Sequence, residues 1–130
     1  MTNTIIINGN NIHDIQSFYQ EINRVFMYGE DWQLGNSLDA FNDLLYGGYG
    51  TMKDHETTTI IWLAFEKNRL DLGYECTKDY YKQKLAQPEL FNQKYFLDQL
   101  EALEDGKGQT YFDILAEIIS EHGNIELVCR

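Results

Sequence analysis

Thr57-Thr58-Thr59-Ile60-Ile61-Trp62-Leu63 is a short apolar run rich in β-branched residues, the composition of a strand. Two further runs of this kind, Thr4 to Ile7 and Ile125 to Val128, lie towards the two ends of the chain. Helical patterns separate all three. Strands divided by helical segments favour parallel pairing with right-handed crossovers, so the expected fold class is α/β: a small three-stranded parallel sheet packed with helices.

Working outward, the first helix should begin at the N-cap Asp14 and end near Phe26. Ile15, Phe18, Tyr19, Ile22, Val25 and Phe26 recur at helical spacing, with Gln16, Gln20, Glu21 and Arg24 on the other face. A shorter second helix is expected after Ser37, running through Leu45 until Gly47-Gly48 stops it. The last helix should start at Thr110, place Tyr111, Ile114, Leu115 and Ile118 on one stripe, and end at Gly123.

Between Asp71 and Gly108 the pattern is again helical, with Thr77 suited to a cap, Pro88 to a first turn and Gly106 to a terminus. This stretch is expected to be a helical hairpin inserted into a single domain covering residues 1–130. Its aromatic residues Tyr80, Tyr81, Phe91, Tyr95 and Phe96 are expected to pack onto the body of the domain.

The chain has 10 Lys and Arg against 21 Asp and Glu, a formal net charge of −11. Such a field repels nucleic acid and favours a basic protein partner. Met1-Thr2-Asn3-Thr4-Ile5 lacks a basic start followed by a long apolar core, and no run approaches the roughly 18 apolar residues of a membrane span. A soluble cytoplasmic protein, without membrane contact and as a monomer, is the expectation. Cys76 and Cys129 stand far apart with no Cys or His at ligand spacing, and His13, His55 and His122 are scattered singly. Neither a metal nor a cofactor is signalled, and both cysteines are expected to be partly buried thiols.

The segment from Asp31 to Gly48, DWQLGNSLDAFNDLLYGG, is chemically uneven. On a helix, Leu38, Phe41, Leu44 and Leu45 point to the core, leaving Asn36, Asp39, Asp43 and Tyr46 on the side open to a partner. Asp39 and Asp43 lie one turn apart, about 6 Å along the axis, and their repulsion costs the helix a few tenths of a kcal/mol. Asp39, in the first turn, recovers this from the helix dipole. Asp43 lies too far in to do so, and local stability does not explain it.

An apolar first strand ending in Asn8-Gly9, a helix, and then Gly35-Asn36-Ser37-Leu38-Asp39-Ala40-Phe41-Asn42-Asp43-Leu44-Leu45 resembles the barstar family of ribonuclease inhibitors. Ile60-Ile61-Trp62-Leu63-Ala64-Phe65-Glu66 is similar to that family's central strand and following short helix, and Phe112 to Val128 to its final helix and strand. The resemblance implies a protein that fills the active site of a basic ribonuclease with carboxylates. It puts Asp39 and Asp43 at the two acidic helix positions of the interface, Asp43 being the principal one and the phosphate mimic. It also implies partner contacts from Trp32, Gln33, Asn36, Asn42, Tyr46 and Gly47, and a supporting acidic contact from Glu117 on the last helix. Family members often carry an aromatic residue where this chain has Gln33 or Leu34, and another where it has Asn42 or Gly48, so the footprint differs in detail. Asp113, Glu117 and Glu121, at fourfold spacing, form an acidic ridge suited to steering a basic partner.

Two rivals belong beside this reading. Asp39 and Asp43 are the residue types of a glycosidase acid and base, yet neighbours on one exposed helix lack a cleft, and no Ser/His/Asp or metal-ligand group accompanies them. Gly106-Lys107-Gly108-Gln109-Thr110 lacks the full spacing of a phosphate loop and is expected to be a turn between helices. The expectation is therefore an inhibitor rather than an enzyme. The alternative partner is another basic nuclease toxin, with this chain as its immunity protein.

Overall fold

The structure, a computed structural model, describes residues 2–52 and 57–130. His55 lies outside them. Three strands form one parallel sheet: β1 (Thr2–Asn8), β2 (Thr57–Leu63) and β3 (Ile125–Cys129), in the order β1-β2-β3. The register sets Ile5 beside Ile60 and Ile60 beside Leu127. The expected α/β architecture is present, with β2 in the centre.

Alternation along the strands decides which side the helices cover. Ile5, Ile7, Thr58, Ile60 and Trp62 are buried, whereas Ile6 is 50% exposed and registers with the partly exposed Ile61 and Val128. One face of the sheet thus carries the core and the other remains largely open. On the packed face Trp62 meets Phe18, Phe65 and Phe112 with ring centroids 5.4–5.9 Å apart, and Phe18 in turn meets Phe41 at 5.5 Å.

Helix α1 (Ile15–Phe26) begins with a reciprocal cap: the Asp14 carboxylate accepts from the Ser17 amide, and the Ser17 hydroxyl accepts from the Asp14 amide. Glu21 corrects the expected polar face of this helix. It is only 2% exposed and accepts hydrogen bonds from the Asn8 amide at 2.8 Å, Asn11 at 3.0 Å and Arg24. These donors compensate its desolvation and fasten the end of β1 to α1.

After β1 the chain turns through Gly9, where a Cβ would lie 2.2 Å from the Leu63 carbonyl and 2.3 Å from Asn68 Oδ1. Only glycine fits that approach. Asn68, fully buried on α3 (Phe65–Asp71), accepts from the Trp62 indole at 2.7 Å and donates to the Gly9 carbonyl at 3.0 Å.

The segment expected to be a hairpin consists of α4 (Tyr74–Leu85) and α5 (Gln93–Glu104), packed together. Two expected signals there are corrected. Thr77 lies inside α4, its hydroxyl donating to the Gly73 carbonyl and accepting from the Tyr111 amide, both at 2.7 Å. Pro88 sits in the connection between the helices, and Asn92 caps α5 instead. Gly106, at φ 75°, terminates α5 as expected. Among the aromatics, Tyr80 reaches the body by packing on Tyr111 at 5.0 Å, whereas Tyr81 is buried between the two helices and Tyr95 is exposed.

Helix α6 (Tyr111–Ser120) carries the Thr110 cap, but its buried stripe is Tyr111, Phe112, Leu115 and Ile119; Ile114 and Ile118 are only partly covered. It ends before Gly123. Residues 106–110 are the connection from α5 to α6, as expected of that glycine-bearing segment. Cys76 is half-buried, while Cys129 is exposed rather than partly buried. Burial pushes both thiols up, so neither is an activated nucleophile. No described helix is long and apolar enough to cross a membrane.

Candidate functional site

The segment before the second helix is pinned by Asn23 of α1. Its carbonyl oxygen accepts from the Leu34 amide at 2.6 Å, and its amide group donates to the carbonyls of Tyr19 at 3.0 Å and Leu34 at 3.3 Å. With Leu34 buried, Trp32 and Gln33 are held outward. The Trp32 ring, 44% exposed, leans on Tyr49 with centroids 5.0 Å apart. Neither Asn23 nor Tyr49 was singled out by the sequence; Asn23 carried no signal beyond its place on the helix, and Tyr49 only its closeness to the glycines after the second helix.

Ser37 caps α2 (Leu38–Leu44), its hydroxyl accepting from the Ala40 amide at 3.1 Å. Phe41, Leu44 and Leu45 are fully buried and Leu38 packs against the same core, which fixes the rotation of this short helix. The opposite side carries Asn36, Asp39 and Asp43, all exposed, and Tyr46 at 72%. Gly47, at φ 84°, turns the chain in a conformation that disfavours any side chain.

Among the described residues, no Lys or Arg pairs with Asp39, Asp43 or Glu117. The carboxylates still act on their surroundings. The Tyr49 hydroxyl is pushed up by burial and then by the charge of Asp43.

His122, a residue the sequence marked only as solitary, is the tie between α2 and the end of α6. It is 7% exposed; its Nε2 stands 2.8 Å from Asn42 Oδ1, and its ring meets the Tyr46 ring edge-on at 4.7 Å. Asn42 is therefore half-buried with its carbonyl oxygen engaged, unlike the exposed Asp39 and Asp43. Glu117 is exposed on α6 with Asp113 and Glu121, and its carboxylate accepts from Gln109.

The structure thus brings Asp39, Asp43 and Tyr46 onto one anchored helix and its end, with Asn36 before it, and Trp32 packs on Tyr49 in the flanking segments. Glu117 stands apart on another helix. Among the described residues no group of three or more His, Cys, Asp or Glu is arranged to hold a metal. What the surface offers is exposed negative charge on a helix locked into the core, with the Tyr46 ring beside it, suited to binding cations.

Comparison with protein-family models matches residues 2–80 to the family described as Barstar (barnase inhibitor). The match covers more than half of the chain, from β1 through α3, and ends within α4; α5, α6 and β3 lie beyond it. No curated protein matches the chain.

Proposed function

Since this chain belongs to the barstar family, whose members are inhibitor proteins rather than enzymes and bind ribonucleases as protein partners, we propose that α2 enters the active site of a basic ribonuclease in the cytoplasm. Asp43 substitutes there for a phosphate of the RNA. A ribonuclease site holds phosphates with Arg, Lys and His, and a carboxylate on a rigid helix meets the same donors with charge-assisted hydrogen bonds. Asp39 supports it one turn earlier. Trp32, Gln33, Asn36, Tyr46 and Gly47 form the surrounding contact, Asn42 contributes through the helix it steadies, and Glu117 supplies a peripheral charge.

The observation that carries this reading is the state of Asp43. It is exposed, without a basic partner among the described residues, on a helix whose other side is locked into the core. An anchored helix loses little freedom on binding, so more of the charge attraction remains as affinity.

Barnase and a panel of other basic microbial ribonucleases, assayed on a fluorogenic RNA substrate, test this directly. Wild type is expected to inhibit at least one of them, and Asp43→Ala to raise the inhibition constant about thirtyfold or more, the ~2 kcal/mol lower bound for stranding one member of a buried charge pair. Absence of inhibition across the panel, or inhibition indifferent to Asp43, would sink the proposal.

A further inference from the structure

The α4–α5 hairpin has its own small apolar cluster, Tyr81, Leu100 and Leu103, and meets the body mainly along α4. Between α4 and the first turn of α1 it leaves an open cleft of about 580 Å3. Asp79, Gln83 and Lys84 line it from α4, and Asp14, the cap of α1, and Gln16 line it from the other side. Asn36 borders it as well, the residue immediately before the cap of the acidic helix.

The cleft and the acidic helix are therefore adjoining parts of one surface. Tyr80, on α4, lines the same cleft and packs on Tyr111 of α6 at 5.0 Å. A protein centred on Asp39 and Asp43 that reaches past Asn36 extends over the cleft.

The charges of the cleft suit a basic occupant. Its one ammonium, Lys84, lies over the Phe91 ring at 4.0 Å and the Tyr80 ring at 5.2 Å. Asp71 is already paired with Lys67, but Asp79 and Gln83 are exposed, and their side chains have no partner among the described residues.

Resting on the inhibitory role proposed above, we infer that this cleft is a second contact site for the same ribonuclease, and that it receives an Arg- or Lys-bearing loop from the rim of the enzyme's active site. Asp79 and Gln83 are its polar contacts. The hairpin then acts as a selector among ribonucleases: the acidic helix addresses what their active sites share, and the cleft addresses the loops in which they differ.

The test uses the full chain against whichever of barnase and the basic microbial ribonucleases it inhibits. Asp79→Lys/Gln83→Lys shifts the net charge by +2 and +1; a control away from the cleft, Asp98→Lys/Glu101→Gln on α5, shifts it by the same +2 and +1. All four positions are exposed, and unchanged melting temperatures verify that both variants fold. The cleft variant is expected to weaken inhibition about tenfold more than the control. Equal effects of the two variants would overturn the cleft while leaving the acidic helix standing, provided Asp43→Ala still raises the inhibition constant about thirtyfold or more. A wild-type chain that inhibits no ribonuclease removes both together.

Discussion

Asp43 and Asn42 are sequence neighbours with opposite surroundings, and His122 separates them. Asn42 turns towards His122, while Asp43 is exposed to solvent. Replacing His122 by Ala removes one hydrogen bond and an aromatic edge contact, a loss of about 1–2 kcal/mol in stability by denaturant titration. Because the end of α2 then loosens, inhibition should weaken as well, and His122→Gln, which keeps an N–H donor, should recover part of it. An inhibition constant unaffected by His122→Ala would show that the core contacts of Phe41, Leu44 and Leu45 orient the helix unaided. The outward placement of Asp43 was legible because Leu38, Phe41, Leu44 and Leu45 mark the buried side of the helix. His122 was not, since its partner lies 80 residues away.

At the level of elements, caps and periodicity carry their own instructions. Asp14, Ser37 and Thr110 each cap the helix expected of them, through bonds spanning three residues. Glu21 is the contrary case, since its partners sit on the end of β1 and the following turn as well as on α1. Burial raises its carboxyl, but the bonds from Arg24, Asn11 and the Asn8 amide outweigh this and hold it below its ordinary 4.5. A carboxyl lowered in the folded state stabilises fully above its unfolded value and loses that contribution as the pH falls through the folded one. Stability should therefore decline below pH 4.5. Glu21→Gln should cost about 1–3 kcal/mol near neutrality and flatten this acid decline, as measured by urea unfolding across the pH range. An acid limb of unchanged slope in the variant would assign the decline to other carboxylates.

Across the whole molecule, a net charge of −11 sets the approach of any basic partner. Raising the salt from about 20 mM to about 500 mM should slow association at least about tenfold in stopped-flow measurements, with a much smaller change in dissociation. An association rate independent of salt would argue against steering by this field. The sequence by itself determined the three strands, the capped helices α1, α2 and α6, the acidic composition and the outward side of α2, because each depends on residues within a turn or two of one another. Only the tertiary structure decided that Glu21 is buried, that Asn23 pins Leu34, that Thr77 receives the Tyr111 amide and that Asn36 adjoins a cleft walled by α4. Those outcomes require the polar groups of distant segments to find one another once the core has closed. Spacing along the chain encodes which face of an element is apolar, but not which element that face will meet.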